Sequence, residues 1–349
     1  MKRWRIGLLG ALVSLAALYF VASQVDVRAF KTALAQARFG FLVPTAFFLL
    51  IGLFTRAARW RVLLSGGLPL WRAFSIMNVA YLVNGLLPLR VGELARIFLA
   101  TRADVPVPPL KTASTIIVER LLDLLAVICM MALALAAGPI PDELWAAALV
   151  SAPLVVIGFI ALVLLARNRS IAQQMLGVVT SRVPRWSADS GAPAQRLSRW
   201  LDHFLDGLMP LAQTRALLFA LMWTALSWGF SAFAGYILMF TFYPQASWPA
   251  TLLYIAAAAF AIALPAVPGN LGPYELSVVL ALSAMGYTEG STAAAFAVVV
   301  HGINLAMHAG TGVIGFIQEG ISLEQLSAGV QKMRQREIGT VTQDGIGSK

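Results

Sequence analysis

The chain has 349 residues, of which 59% are hydrophobic and only 12% are charged, and its formal net charge is +10. Soluble proteins carry about 25% charged residues because their surfaces must be hydrated, so this composition excludes a compact soluble protein and indicates an integral membrane protein. The excess of positive charge does not indicate nucleic-acid binding, because the basic residues lie mainly between apolar runs, where membrane proteins carry them to set orientation. The single cysteine, Cys129, excludes a disulfide framework within the chain.

Apolar runs recur along the chain, and a helix needs about 20 apolar residues to cross a bilayer. The candidates are Ile6–Ser23, Phe41–Phe54 (extendable to Leu64), Thr112–Ala137, Leu144–Ala166, Ala216–Phe242 and Thr292–Ile317. Three further runs are shorter or broken, namely Ala73–Leu87, Ala250–Ala266 and Leu276–Met285. The pattern predicts an all-α, polytopic helical membrane protein with about six to eight spans.

The N-terminal region combines a membrane anchor with a short amphipathic segment. The apolar run Ile6–Ala22 is longer than the core of a typical signal peptide, which has about 7–15 residues, so we expect residues 1–23 to be retained, with cleavage as the alternative. Apolar residues then recur at helical spacing at Val27, Phe30, Leu34 and Phe41. We predict a helix lying in the membrane interface, with a plain loop as the alternative.

Lysine and arginine in the short loops determine the predicted orientation. The basic N-terminus, residues 1–5, and the tail, residues 321–349, are predicted to be cytoplasmic, and the end of the tail to be disordered. The segment 167–215 contains seven arginines and three aspartates, which predicts a cytoplasmic loop. Residues 1–320 therefore form one predicted membrane domain that includes this loop.

Two stretches in the two halves of the chain resemble each other. Each follows an apolar run, breaks at a proline, has a glycine four residues later, and then has a glutamate followed by leucine. The residues are Pro88, Gly92, Glu93 and Leu94 in the first stretch, and Pro268, Gly272, Glu275 and Leu276 in the second. Paired Pro/Gly interruptions are typical of discontinuous helices that form one site in transporters built from inverted repeats.

Charge bias supports two re-entrant segments, 73–90 from the cytoplasmic side and 250–286 from the outside. Non-helical backbone at membrane depth needs protein or a water-filled cavity to satisfy its polar groups, so we predict a polar cavity where the two breaks meet. Glu93 and Glu275 are predicted to approach this cavity from opposite sides. The alternative is two unrelated kinks, because proline and glycine are common in membrane helices.

Charged residues inside or beside the apolar runs are the main candidate site residues, because burying a charge in a membrane is costly. They share helix faces and comprise Arg90, Glu93 and Arg96 after the first break, with Asn84 before it, and Glu119, Arg120 and Asp123 in the span Thr112–Ala137. An arginine here can hold a phosphate bidentately, and the carboxylates can pair with the arginines or contact a cationic headgroup. The alternative is an ion-pair network that only holds the segments together.

Polar residues near the second break form a comparable set, Asn270, Tyr274 and Glu275. In the last span, His301, Asn304 and His308 share one helix face; we interpret them first as interhelical hydrogen-bonding residues and second as cavity or proton-relay residues. The chain has no nucleotide, dinucleotide, zinc-protease or serine-hydrolase motif, so we expect no cofactor, no metal and no enzymatic activity.

Four stretches together are similar to the flippase-like transmembrane domain of the lysylphosphatidylglycerol synthase family. They are Thr55–Leu64, Asn84–Leu99, Val118–Asp123 and Pro268–Glu275, and the resemblance covers residues 1 to about 320. Full-length members of that family add a cytosolic aminoacyl-transferase domain. Residues 321–349 are too few for such a domain, so we expect a stand-alone member without the synthase domain. Pro273-Tyr274 departs from the more usual small or basic pair before the glutamate, which leaves the charge of the lipid headgroup undetermined.

The resemblance implies a bacterial inner-membrane lipid translocase that moves a phospholipid, an aminoacylated phospholipid or a polyprenyl-phosphate-linked lipid between leaflets. Its partner would be that membrane lipid, with a glycosyltransferase or lipid synthase as a further candidate partner and no nucleic acid. Arg90 and Arg96 would contact the phosphate, and Glu93, Glu119 and Asp123 would orient them or contact a cationic group. The alternative function is a non-catalytic subunit that anchors or regulates such an enzyme through the loop 167–215.

Overall fold

The computed structural model describes residues 3–23, 25–87, 91–137, 153, 156–161, 163–168, 205–263 and 268–332. Ten helices have defined bounds in these ranges: α1 (Arg3–Ser23), α2 (Val27–Gln36), α3 (Leu42–Leu63), α4 (Leu70–Leu86), α5 (Val91–Thr101), α6 (Pro109–Ala137), α7 (Thr214–Met239), α8 (Trp248–Ala263), α9 (Pro273–Ala284) and α10 (Gly290–Glu319). Residues 205–212 and 323–332 are also helical, and no strand occurs within the described ranges. The predicted all-α class is therefore confirmed for them.

Most predicted apolar runs correspond to observed helices, with bounds that differ by a few residues. Of the amphipathic pattern after the first run, Val27, Phe30 and Leu34 lie on a helix, α2, with Asp26 as its N-cap, whereas Phe41 lies in the separate 3₁₀ turn Phe39–Phe41. Most of the predicted run Leu144–Ala166, most of the loop 167–215, the end of the tail, and the residues Pro88 and Arg90 lie outside the described residues. The predictions made for those parts of the chain stay predictions.

Three of the described helices are long and apolar enough to cross a membrane, and they comprise Phe39–Leu63, Thr214–Met239 and Gly290–Glu319. Helix α6, with 29 residues, is long enough as well, although it carries Glu119, Arg120 and Asp123. Helices α1 and α2 meet at 85°, so that α2 turns away from the direction of α1. The predicted total of six to eight spans is not decided by these helices.

Helices α3 and α7 form an antiparallel pair. The hydroxyl of Thr45 lies 3.5 Å from the carbonyl oxygen of Ala234 near one end, and Arg59 lies 3.2 Å from the hydroxyl of Thr224 near the other. Between these contacts, Gly52 brings the two backbones close together, because a methyl group built on it would lie 3.6 Å from the carbonyl oxygen of Ser227. This pair forms one wall of the site described below.

Helix α10 shows how far α4 reaches into the bundle. The two helices are antiparallel, because Ser75 bonds to the carbonyl of Gly315, Asn78 accepts a hydrogen bond from Thr311, and the ring of Tyr81 packs against that of His308. Gly85, near the end of α4, lies beside Leu305, which is at the middle of α10. Helix α4 therefore ends about halfway along the longest spanning helix.

Helix α5 folds back antiparallel against α4. Asn84 accepts a hydrogen bond of 2.8 Å from the backbone N–H of Gly92 near the break, and Arg72 bonds to the carbonyl of Arg102 at the far end. Only glycine fits at position 92, because a methyl group there would lie 2.0 Å from the carbonyl oxygen of Ala80. The first broken segment is thus a helical hairpin of α4 and α5, in which the end of α4 lies level with the middle of α10.

The second broken segment reaches the same level from the other end of α10. Helices α8 and α9 pack on each other, and Glu275 in the first turn of α9 contacts His301 of α10. The backbone of the 3₁₀ turn Pro268–Asn270 packs against α4, and a methyl group built on Gly269 would lie 3.8 Å from the carbonyl oxygen of Gly85. The two breaks that resemble each other in sequence therefore meet in the fold.

Candidate functional site

Arg59 of α3 lies at the centre of a buried ion-pair network between α3, α5, α6 and α7. Its Nη1 atom lies 2.7 Å from Asp123 Oδ1, and its Nη2 atom lies 3.7 Å from Glu119 Oε1. The hydroxyl of Thr224 on α7 accepts a further bond from Nη1. The residue is only 1% exposed, so its charge depends on these partners for compensation.

Arg96 connects the first broken segment to this network. Its Nη1 atom lies 2.5 Å from Glu119 Oε2, and both side chains are buried. The guanidinium carbon lies 3.8 Å from the ring centroid of Trp60, a cation–π contact, and the indole N–H of Trp60 donates to the hydroxyl of Thr115. The outgoing helix of the hairpin, α5, is therefore attached to α6 by a buried charge pair and to α3 by a stacked ring.

Arg120 completes the network on the more accessible side. Its Nη2 atom lies 2.7 Å from Glu93 Oε1, and its Nη1 atom lies 3.9 Å from Asp123 Oδ2. Trp228 of α7 donates its indole N–H to Asp123 over 3.0 Å. Three arginines thus face three carboxylates, so the formal charges of Arg59, Arg96, Arg120, Glu93, Glu119 and Asp123 sum to zero.

The network leaves several buried atoms without a hydrogen-bond partner among the described residues. They are Arg59 Nε, Arg96 Nε and Nη2, Arg120 Nε and Glu119 Oε1. Arg96 has the most such atoms, because two of its three side-chain nitrogens have no acceptor. Buried donors of this kind are costly in a network that only holds helices together, and they are the donors that a phosphate uses when it binds arginine.

A second polar cluster surrounds Glu275 at the second break. Its Oε1 atom lies 2.6 Å from Nδ1 of His301, and its Oε2 atom accepts a hydrogen bond of 2.7 Å from the backbone N–H of Gly272. Tyr274 stacks on the His301 ring with centroids 4.2 Å apart. Gly272 has φ of +96° and its α-carbon faces the backbone of Ser14 on α1, which explains why glycine precedes this helix.

The remaining predicted site residues have separate environments. Asn84 caps α5 through Gly92, Asn270 has left-handed backbone in the break, and Asn304 donates to the carbonyl of Val300 in its own helix. The ring of His308 packs against that of Tyr81, and Arg90 lies outside the described residues. Glu93 and Glu275 have different partners in the described part of the chain, so their sharing of one cavity stays a prediction.

The sequence did not single out the centre of the network. Arg59 and Trp60 lie in the stretch Thr55–Leu64 of the family resemblance, and Thr224 and Trp228 lie in the apolar run Ala216–Phe242. The available signal was the spacing of polar side chains in an otherwise apolar α7, where Thr224, Ser227, Trp228 and Ser231 recur at intervals that share a helix face. No group of residues suited to hold a metal ion occurs in the part of the chain that the structure describes.

A comparison with known proteins adds one finding. The family model described as the transmembrane region of lysylphosphatidylglycerol synthase matches residues 7–312. The match includes every helix of the network and both breaks. No curated protein matches the chain, and no solved structure matches it.

Proposed function

The chain belongs to the family of the lysylphosphatidylglycerol synthase transmembrane region, and from this premise we propose that it is a lipid translocase. It moves a lipid with a phosphate headgroup between the leaflets of the bacterial inner membrane and changes no covalent bond. Three lipid classes fit, namely phospholipids, aminoacylated phospholipids and polyprenyl-phosphate-linked lipids. In this proposal both termini are cytoplasmic and the two broken segments re-enter the membrane from opposite sides.

The observation that carries the proposal is the attachment of α5 to buried charges through Arg96. This arginine has one carboxylate partner, Glu119, and two buried nitrogens without an acceptor in the described part of the chain. A lipid phosphate has the oxygens that these nitrogens lack, and it can replace Glu119 as the partner of Arg96. Glu119 then keeps Arg59 as its partner, so no carboxylate is left without a counter-charge.

The same exchange explains how binding moves the broken segment. While Arg96 pairs with Glu119, α5 is held against α6; when a phosphate takes its place, that connection is released. Gly85, near the end of α4, lies beside Gly269 of the second broken segment, so movement of one segment changes the packing of the other. Rocking of one repeat against the other around a site near mid-depth gives alternating access, while the acyl chains stay in the bilayer.

The test is a leaflet-exchange assay in proteoliposomes with fluorescent phosphatidylglycerol, lysyl-phosphatidylglycerol and polyprenyl phosphate. Wild-type protein should accelerate exchange of at least one probe. Arg96→Lys keeps the charge but loses the planar fork and the broad stacking on Trp60, so we expect exchange to fall at least tenfold.

The matched control is Arg72→Lys, because Arg72 pairs with Asp104 and Glu319 away from the network. It should exchange lipid at the wild-type rate. Equal exchange with and without the wild-type protein for all three probes would contradict the proposed function.

A further inference from the structure

Glu275 differs from the three carboxylates of the network in the kind of partner it has. Glu93, Glu119 and Asp123 each pair with an arginine, which stays charged at any relevant pH. Glu275 pairs with His301, and within the described residues neither side chain forms an ion pair with lysine or arginine. Histidine is the side chain whose charge normally changes near neutral pH, so this pair has a net charge that can change.

The pair is also buried, which makes its net charge matter. The side chains of Glu275 and His301 are 8% and 6% exposed. With one proton on Nδ1, shared with the carboxylate, the pair carries a net charge of −1; a second proton on Nε2 makes it a neutral ion pair. A neutral pair costs less to bury in a membrane protein than a single negative charge, so proton binding favours the arrangement in which the pair is shielded from water.

The pair lies where a change of charge can act on both broken segments. Glu275 caps the first turn of α9 through Gly272, and the 3₁₀ turn just before it packs against α4. The ring of His308, two turns along α10 from His301, packs against the ring of Tyr81 of α4 at a centroid distance of 4.9 Å. One face of α10 therefore connects the pair to the helix that carries the first break.

The titratable groups around the pair are few in the described part of the chain. Tyr274 stacks on His301, and Tyr254 of α8 belongs to the same buried cluster. Along α10, His308 is close enough to His301 and to Arg56 of α3 for electrostatic interaction. Residues 11–23 of α1, which pack against α9, contain no acidic or basic residue. Among residues 11–23, α8 and α9, Glu275 is therefore the only acidic or basic side chain, and it alone can compensate a charge on His301.

We propose that Glu275 and His301 form a proton-binding pair that couples lipid movement to a pH gradient across the membrane. One proton from the water on one side forms the Nε2–H bond, the neutral pair passes through the shielded arrangement, and the bond breaks to release the proton on the other side. No other bond is made or broken. This proposal rests on the proposed translocase function and adds its driving force.

The experiment uses proteoliposomes loaded with a pH dye and labelled phosphatidylglycerol, with the membrane potential clamped at zero. At one proton per lipid, a gradient of one pH unit should accumulate the probe about tenfold in one leaflet at equilibrium, since 1.4 kcal/mol corresponds to a factor of ten. Glu275→Gln should abolish accumulation, because the amide keeps an acceptor for Gly272 but holds no negative charge. His301→Gln should do the same.

The matched control is Glu289→Gln, because Glu289 is an exposed carboxylate in the loop before α10 that bonds only to Thr292 among the described residues. It should keep the tenfold accumulation. Two results would overturn the proton-binding proposal and leave the translocase in place. One is wild-type exchange without probe accumulation under a pH gradient, and the other is accumulation that persists in Glu275→Gln. Absence of probe exchange in the arm without a gradient would instead contradict the translocase function, and the proton-binding proposal with it.

Discussion

The hairpin of α4 and α5 and the segment of α8 and α9 reach the middle of α10 from opposite ends, yet they satisfy their helix N-termini in different ways. At the first break, the amide of Asn84 accepts from Gly92, which leaves the carboxylate of Glu93 free to pair with Arg120. At the second break, Glu275 itself accepts from Gly272. Two stretches with the same Gly and Glu therefore have different electrostatic roles.

When another residue caps the helix, the glutamate in its first turn is free to form an ion pair with a neighbouring helix. Because Asn84 serves as the cap, α5 can direct its charged residues to α6 and join a network that crosses four helices. Because Glu275 is occupied as a cap, α9 keeps only a local pair with His301. We expect mutations at the first break to alter stability and lipid binding together, and mutations at the second to alter local geometry and coupling.

The largest effect should come from Glu119→Gln. The change leaves Arg96 without its carboxylate partner and weakens the compensation of Arg59, and breaking a buried pair in this way costs about 3–5 kcal/mol. The free energy of unfolding measured by denaturant titration in detergent should fall by this amount. Glu324→Gln, at an exposed position, should change it by less than about 0.5 kcal/mol. Equal stability of the two variants would show that the network does not hold the first hairpin.

Gly92→Ala should have the next largest effect. The new methyl group would overlap the carbonyl oxygen of Ala80, so α5 must shift away from α4, at a cost of about 2–3 kcal/mol. Gly310→Ala is the matched change in α10, where nothing lies within 4 Å of the added methyl, and it should be neutral or slightly stabilising. Thermal unfolding of the two variants tests this, and a neutral Gly92→Ala would contradict the close packing of the hairpin.

The variants Asn84→Ala and Glu275→Ala compare the stability that the caps at the two breaks contribute. The first removes one capping bond and should cost about 1 kcal/mol. The second removes a capping bond and the bond to His301, and should cost about 2 kcal/mol. Glu275→Gln should recover most of that loss, because the amide can still accept from Gly272. If all three variants unfold at the wild-type denaturant midpoint, the caps do not support the breaks.

The smallest effect should come from Asp104→Asn. Asp104 pairs with Arg72 at the open end of the first hairpin, but its side chain is 91% exposed. Exposed pairs are screened by water and salt, so the unfolding free energy should change by less than about 0.5 kcal/mol. A loss comparable to that of Glu119→Gln would show that the hairpin is held at its open end instead of at the network.

The class of the protein, the positions of most helices and the two breaks follow from the amino-acid sequence. These features depend on local chemistry: apolar runs form helices in a membrane, and proline and glycine interrupt them wherever they occur. The resemblance of Gly92 and Glu93 to Gly272 and Glu275 can be recognised in the sequence for the same reason. That the carboxylates can pair with the arginines also followed from the sequence, because a buried charge needs a counter-charge.

The pairing of charges across the bundle depends on the packing of helices that are distant in sequence. Arg59, at the centre of the network, is 60 residues or more from both Glu119 and Asp123 in sequence, and its position depends on the packing of α3 against α6 and α7. The different roles of Glu93 and Glu275 likewise depend on whether a neighbouring helix supplies a cap. Ion-pair partners and caps of this kind depend on the side chains that distant helices bring together. The spacing of residues along one helix contains no information about them.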